Sequence, residues 1–255
     1  MVQISAVIIT FNEEINIERC LASLQGIADE IVVVDSVSTD RTKEICLRFG
    51  TRFVERSFTS YNEQKNFAAL QAKYHYVLSL DADEALSSEL QQSILGVKKD
   101  WDADGYYMNR LTNYCGKWIR HAWYPDAKLR LWDIRKGKWD DNIVHEKVVL
   151  HQSSAVRYLK GDLHHYSYYS LDGHFAQQKK FASMSAVALY SQGKRSSLCN
   201  IIVNPALNFI KLYFLKEGFR DRYEGYLIAK ISSFTVFMKY VYLMDIQRRN
   251  KEGKA

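Results

Sequence analysis

The stretch Tyr76 to Glu84 reads Tyr-Val-Leu-Ser-Leu-Asp-Ala-Asp-Glu, and the types and spacing of Asp81 and Asp83 fit a definite chemistry. The apolar residues ahead of them predict a buried strand that delivers two carboxylates to an exposed edge, where open α/β sheets bind ligands. Carboxylates one residue apart repel each other, and a divalent cation facing anionic phosphate oxygens relieves that repulsion. A metal and a diphosphate are therefore the first expectation, with a solvated strand end as the plain structural alternative. Two other runs carry titratable groups, Val144-His145-Glu146 and Leu163-His164-His165-Tyr166. The His-Glu pair has no second histidine at H-E-x-x-H spacing, so it is not a zincin motif. Cys20, Cys46, Cys115 and Cys199 form no C-x-x-C pair and no zinc spacing, which predicts free thiols in a reducing compartment.

Placing these groups at one edge takes an alternating chain. Ser5 to Thr10 predicts a strand ending at Phe11-Asn12, and Glu13-Glu14 then put negative charge where a helix start favours it. Ile17, Leu21 and Leu24 form the buried stripe of that helix, and Gly26 ends it. Ile31 to Val34 is wholly apolar, as in a parallel strand covered on both faces, and it delivers Asp35-Ser36. Ser38-Thr39-Asp40 suits a cap for the next helix, and Thr51 to Glu55 makes a third strand. A helix over Tyr61 to Lys73 and the strand Tyr76 to Leu80 complete a β-α-β-α-β-α-β series, the pattern of a Rossmann-like sheet. Neither G-x-G-x-x-G nor G-x-x-x-x-G-K-[ST] occurs, which disfavours a nicotinamide dehydrogenase and a P-loop enzyme. Ser88-Glu89-Leu90-Gln91 fits a capping box for a structural helix. From Gly105 the chain becomes aromatic and strand-like, with strands expected over Cys115 to Asp126 and Val144 to Leu150. Trp118, Trp123, Trp132 and Trp139 lie in this half, and flat aromatic faces suit either sugar rings or the packing of a small mixed sheet.

At 255 residues and 47% hydrophobic content the chain can bury one substantial core. The N-terminus lacks a basic region and a cleavage site, and reads as a first strand rather than a signal peptide, so a cytoplasmic location is expected. Net charge is +6, and Lys211 to Ala255 holds ten basic against five acidic residues, so the excess sits late. Lys216, Arg220, Arg222, Lys230 and Lys239 interrupt the apolar residues there, so no span of roughly 18 to 20 residues is expected to cross a membrane. The tail is expected to lie on an anionic membrane surface. Its basic residues mix with aliphatic ones instead of forming a phosphate-tracking stripe, which disfavours nucleic acid as a partner.

Ala6 to Asn12 (Ala-Val-Ile-Ile-Thr-Phe-Asn), Val34 to Asp40 (Val-Asp-Ser-Val-Ser-Thr-Asp) and Asp81-Ala82-Asp83 at these spacings resemble the family 2 glycosyltransferases of GT-A fold. The block Trp118 to Asp126 followed by Val144-His145-Glu146 is similar to a narrower set, the bacterial lipopolysaccharide core β-1,4-glucosyltransferases. The resemblance implies an α/β GT-A domain, a Rossmann-like mixed sheet flanked by helices, over residues 1–199, with an amphipathic helical extension over residues 200–255. It implies inverting transfer of a sugar, glucose in the narrower set, from a nucleotide-diphospho-sugar, usually a UDP-sugar, aided by Mg²⁺ or Mn²⁺. The expected acceptor is a lipopolysaccharide-core or other lipid-linked saccharide, which suits an enzyme peripheral to the cytoplasmic face of the inner membrane. Capsule, exopolysaccharide or polyprenyl-phosphate acceptors are the rivals among enzymes, and a non-catalytic surface-binding protein on the same fold is the rival outside them.

By the same resemblance, Thr10, Phe11 and Asn12 cradle the nucleotide and Asp35 lies near the base. Ser36 stands where the family more often has a second Asp. Lys65 takes the place of a basic nucleotide ligand, and Asp81 and Ala82 approach the donor. Asp83 binds the metal with Asp81, and a downstream histidine, His165 ahead of His164, returns to it. Glu146 is the expected general base, because inversion needs a carboxylate on the face opposite the diphosphate. Trp123, Asp126, Arg130 and His145 are expected to hold the acceptor.

Overall fold

The computed structural model describes residues 1–140, 146–251 and 253. The chain forms two compact units, one of Met1–Leu111 with Asp126–Tyr166 and one of Thr112–Pro125 with Ser167–Ala255.

The first unit starts from β1 (Ile4–Thr10), β2 (Glu30–Asp35), β3 (Arg52–Glu55) and β4 (Tyr76–Asp81). These strands pair in parallel in the order β3-β2-β1-β4, joined by α1 (Ile17–Leu24), α2 (Thr42–Arg48) and α3 (Tyr61–Leu70). The two-residue period of a strand sends alternate side chains to two covered faces. Ile4, Ala6 and Ile8 pack with Ile17, Leu21 and Leu24 of α1. Val7, Val32, Val34 and Val77 pack on the other side with Ala68 and Ala69 of α3. Continuous apolar strands are what this double cover demands.

Beyond β4 the sheet turns antiparallel. The chain adds β5 (Glu84–Leu86), α4 (Ser88–Lys99), β6 (Gly105–Tyr114), β7 (Lys117–Trp118), β8 (Ala127–Asp133), β9 (Gly137–Trp139), β10 (Val148–Leu150) and β11 (Val156–Tyr168). The order past β4 is β8-β6-β11-β5, with β7 beside β6 and a separate β9-β10 ribbon. This is the mixed, helix-flanked sheet expected from the motifs. β5 pairs antiparallel with β11, setting Glu84 opposite His165 and Ala85 opposite His164. Gly161 lets β11 cross the start of α4 at φ +88, where a Cβ would run into the Leu90 backbone nitrogen. The cap of α4 is Ser87 and not Ser88, its Oγ accepting from Leu90 N at 3.3 Å.

The second unit is mostly helical, with α5 (Leu171–Ser191), α6 (Leu198–Ile210) and α7 (Arg222–Lys251). A π-type turn (Lys211–Leu215) and a 3-10 turn (Gly218–Asp221) join the last two. The stretch Cys115 to Asp126, expected as a strand, is extended only at β7. Its next residues wrap a buried carboxylate, since Arg120 N, His121 N and Ala122 N donate to Asp221 at 3.0, 3.0 and 2.9 Å. Within the second unit α5 lies along α7, with Thr235 Oγ1 donating to Gln178 Oε1 at 3.1 Å. All four cysteines are free thiols, as expected.

Contrary to the expectation that no stretch of the tail could cross a membrane, Leu198–Leu215 and Gly218–Lys251 are both long and apolar enough to do so by length and composition, because a few scattered charges leave the mean hydropathy high. Little of the most apolar part of either stretch is buried, 6% and 22%.

Candidate active site

The parallel strands end level with one another. Thr10 sits beside Asp35 and Ile9 beside Asp81, so β1, β2 and β4 bring Thr10 to Asn12, Asp35-Ser36 and Asp81 to one carboxyl edge. Asp35 is buried, and its two oxygens accept from Ser38 N at 2.7 Å and Ser38 Oγ at 2.5 Å. Asn12 is left-handed at φ +53; its N donates to Ser38 Oγ at 2.8 Å and its Oδ1 accepts from Thr39 N at 2.8 Å. Ser36 Oγ accepts from Gln64 Nε2 of α3 at 3.2 Å. These bonds tie the first two strand ends into one cradle. Phe11 stands 56% exposed at its rim, and Thr10 Oγ1 is buried without a hydrogen-bond partner among the described residues.

Asp81 joins two cations. The Lys65 ammonium, brought from α3, lies 3.0 Å from Asp81 Oδ1 and donates to Oδ2 at 3.3 Å. Arg130 of β8 donates through Nη2 to Asp81 Oδ2 at 3.0 Å and to Glu84 Oε1 at 2.8 Å. Burial alone would raise the Asp81 carboxyl, but Lys65 and then Arg130 outweigh it and hold it well below the usual carboxylate range. The Lys65 ammonium also lies 3.0 Å from Glu146 Oε1, so the expected base shares its cation with the first aspartate. Both cations lie against the Trp139 ring, at 4.6 Å for Lys65 and 5.3 Å for Arg130.

Asp83 is differently placed. Its Oδ2 is 3.2 Å from His165 Nε2, with the two side chains 21% and 14% exposed. Antiparallel pairing of β5 and β11 is what puts His165 rather than His164 on the side of the aspartates. A carboxylate and an imidazole at a part-open strand end are a donor pair that fits a divalent ion completed by phosphate and water oxygens. Asp81 is committed to Lys65 and Arg130, and no cluster of three or more His, Cys, Asp or Glu stands among the described residues. Glu13, mostly buried at the same edge, is pushed up to about 7 by desolvation, with the Asp83 charge adding to it.

Of the residues expected to hold the acceptor, Trp123 belongs to the second unit, where its ring stacks on Tyr168 at 5.3 Å. Asp126 pairs with Arg110 and Lys128, both at 2.9 Å. Arg130 is turned to Asp81 and Glu84, with Nε and Nη1 buried and without hydrogen-bond partners among the described residues. His145 lies outside the described residues. Ala82 is buried between the two aspartates.

Glu84 and Arg110 belong to the site and were not singled out from the sequence, and Trp139, noted there only as one of four tryptophans suited to sugar rings or to packing, joins them. Glu84 is fully buried, accepting from Asp81 N at 3.0 Å as well as from Arg130 and Arg110. It fixes the turn that holds the two aspartates. Its signal was its place directly after Asp83; Arg110 carried none that local sequence shows, and the Trp139 ring lies against the two cations.

With this geometry in place, the likeness to known proteins is specific. The description "Glycosyl transferase family 2" matches residues 5–154. An uncharacterized glycosyltransferase of Rickettsia bellii is 30% identical over 96% of this chain and 87% of its own length. The lipopolysaccharide core biosynthesis glycosyltransferase LpsC of Rhizobium meliloti is 28% identical over 92% of this chain and 89% of its own. Among solved structures, S. aureus TarS 1-349 in complex with UDP aligns over 98% of this chain and 92% of that one, at 14% identity and a TM-score of 0.48. The extent of the sequence matches, together with a strand-end edge built from the family's own motifs, makes this chain a member of glycosyl transferase family 2.

Proposed function

We propose that the protein transfers a sugar, glucose as the leading candidate, from a UDP-sugar to a lipopolysaccharide-core or similar lipid-linked saccharide, inverting the anomeric centre. The observation that carries this reading is the convergence of Asp81, Asp83, Lys65 and Glu146 at the edge where Thr10 to Asn12 and Asp35 also end. The acceptor class rests on the similarity to the lipopolysaccharide core glycosyltransferase of Rhizobium meliloti and on the basic, apolar C-terminal stretch.

In the proposed reaction the acceptor hydroxyl attacks the anomeric carbon from the face opposite the diphosphate. A new carbon–oxygen bond forms there, the bond to the diphosphate breaks, and the nucleoside diphosphate leaves with the electron pair. Glu146 takes the hydroxyl proton as the bond forms, a role worth roughly 10²- to 10⁴-fold. Asp35, Ser36, Asn12 and the exposed Phe11 line the nucleotide side of the edge. Asp83 and His165 would hold Mg²⁺ or Mn²⁺, which supplies positive charge to the departing diphosphate. The protein works at the cytoplasmic face of the membrane that carries its acceptor, reached through the second unit.

The test is a donor screen that follows release of nucleoside diphosphate from several UDP-, GDP- and dTDP-sugars, with and without chelator, against lipopolysaccharide-core and polyprenyl-phosphate acceptors. Glu146→Gln keeps size and polarity but removes the base, so turnover should drop by about 10²-fold or more while UDP affinity stays near wild type. A Glu146→Gln enzyme with wild-type turnover would show that another group takes the proton.

A further inference from the structure

Lys65 is placed for a duty other than holding a nucleotide. Its side chain is 4% exposed, and its ammonium sits midway between two carboxylates, 3.0 Å from Asp81 and 3.0 Å from Glu146. α3, which carries it, is capped at Ser60 and packs Ala68 and Ala69 into the core, so the base of the side chain is fixed. The Trp139 ring limits where the ammonium can swing.

The two carboxylates do not depend on Lys65 equally. Asp81 keeps a second cation, Arg130 at 3.0 Å, itself anchored by Glu84 at 2.8 Å, and its backbone N is held by Glu84. Glu146 is different. Beside it, Asp140 N donates to Lys147 O at 2.9 Å and Lys147 N to Asp140 Oδ1 at 3.1 Å; these bonds hold the neighbouring backbone and do not touch the Glu146 carboxylate. Among the described residues, Lys65 is the one ion-pair partner of Glu146.

We infer that Lys65 is a positioning residue for Glu146: its ammonium sets the rotamer of the base and ties it to the donor-side carboxylate, rather than binding the nucleotide. A charge-assisted hydrogen bond is strong enough to select one rotamer of a flexible carboxylate. Misplacing a reacting group by about 1 Å costs on the order of 10²-fold. The ammonium is a compact charge with three rotatable donors on a flexible stem, whereas a guanidinium presents a fixed planar fork, so Arg at this position keeps the charge and alters the geometry. The inference rests on the proposed role of Glu146 as the base.

The experiment is a double-mutant cycle. Lys65→Met and Lys65→Arg are made in the wild-type and the Glu146→Gln backgrounds, with kcat and donor KM from nucleoside diphosphate release and UDP affinity with Mn²⁺ from calorimetry. If Lys65 acts through Glu146, Lys65→Met lowers kcat by about 10²-fold in the wild type and by less than about threefold once Glu146 is Gln. UDP affinity stays within about threefold, because Arg130 still holds Asp81, and Lys65→Arg restores part of kcat. Equal losses of kcat in both backgrounds, or a loss confined to UDP affinity, overturn the inference. Full turnover in Glu146→Gln alone instead removes the base assignment, so the two failures are told apart. Should Lys65→Met not fold, because Asp81 and Glu146 are left facing each other, Lys65→Arg carries the same comparison with the charge retained.

Discussion

Asp81 and Asp83 are one residue apart and have different surroundings. Asp81 is matched by Lys65 and Arg130, whereas Asp83 meets only an imidazole within ion-pair distance among the described residues. A carboxylate already neutralised by two cations gains little from a metal ion, and one without them gains most. The metal requirement is therefore expected to follow Asp83. Asp83→Ala should abolish the Mn²⁺-dependent part of UDP binding in calorimetry, with the melting curve close to wild type because the side chain is at a part-open edge. UDP affinity that is the same with and without chelator in the wild-type protein would remove the metal from the reading. Glu84 shows the reverse case at the same scale. Full burial between two arginines gives it a structural duty, that of holding the Asp81 to Asp83 turn.

At the scale of elements, the site depends on strands that end level and on one strand that comes back. β11 supplies His165, and it passes over α4 only because Gly161 has no Cβ. Ser87 reinforces the crossing, its N donating to Asp162 O at 3.1 Å and its Oγ accepting from Asp162 N at 3.0 Å. Gly161→Ala puts a side chain at positive φ and against the Leu90 backbone, strain and overpacking that together cost about 2 to 4 kcal/mol. Denaturant unfolding should show that loss, and the metal-dependent UDP affinity should fall with it as β11 shifts. An Ala variant of wild-type stability would mean that the crossing relaxes without cost. α3 shows a second dependence: a helix with only Ala68 and Ala69 as its buried apolar face is free to turn Asn62, Gln64 and Lys65 toward the strand ends.

On the scale of the whole molecule, charge and apolar exposure are unevenly distributed along the chain. α6 buries none of its residues and shows Leu198, Ile202 and Leu207, followed by exposed Phe214 and Leu215. Lys211 and Lys216 flank the last of these, and Lys230 lies 4.9 Å from the Phe209 ring. A handful of basic side chains near an anionic bilayer contributes about 1 kcal/mol each, with the apolar face adding its own burial. Liposome flotation should find the protein on anionic vesicles, less so as salt rises, and not at all after residues from about Asn200 are removed from a protein whose first unit still binds UDP. Equal partition onto neutral and anionic vesicles, or binding to neither, would leave α6 and α7 as the core of the second unit alone. Binding that survives high salt would point to insertion of the two long apolar stretches.

Local pattern was enough for the parallel half of the sheet, because continuous apolar strands, alternating helices and the residues at the strand ends are set by nearest neighbours and by burial on two faces. The same neighbourhood made Asp81, Asp83 and Asp35 visible, since each closes a strand that the sequence itself marks. Pairings across long stretches of chain were not visible in that way. Lys65 meets Glu146 across 81 positions, and Arg130 meets Glu84 across 46, distances over which local sequence carries no geometry. Nor could periodicity show that Cys115 to Asp126 would leave its strand to wrap Asp221 about 100 residues on, because the backbone N–H groups there are satisfied only once the 3-10 turn ahead of α7 is in place. The residue types fixed the chemistry on offer. Which carboxylate is neutralised and which is open to a cation was decided by antiparallel strands that bring Arg130 to the first and His165 to the second.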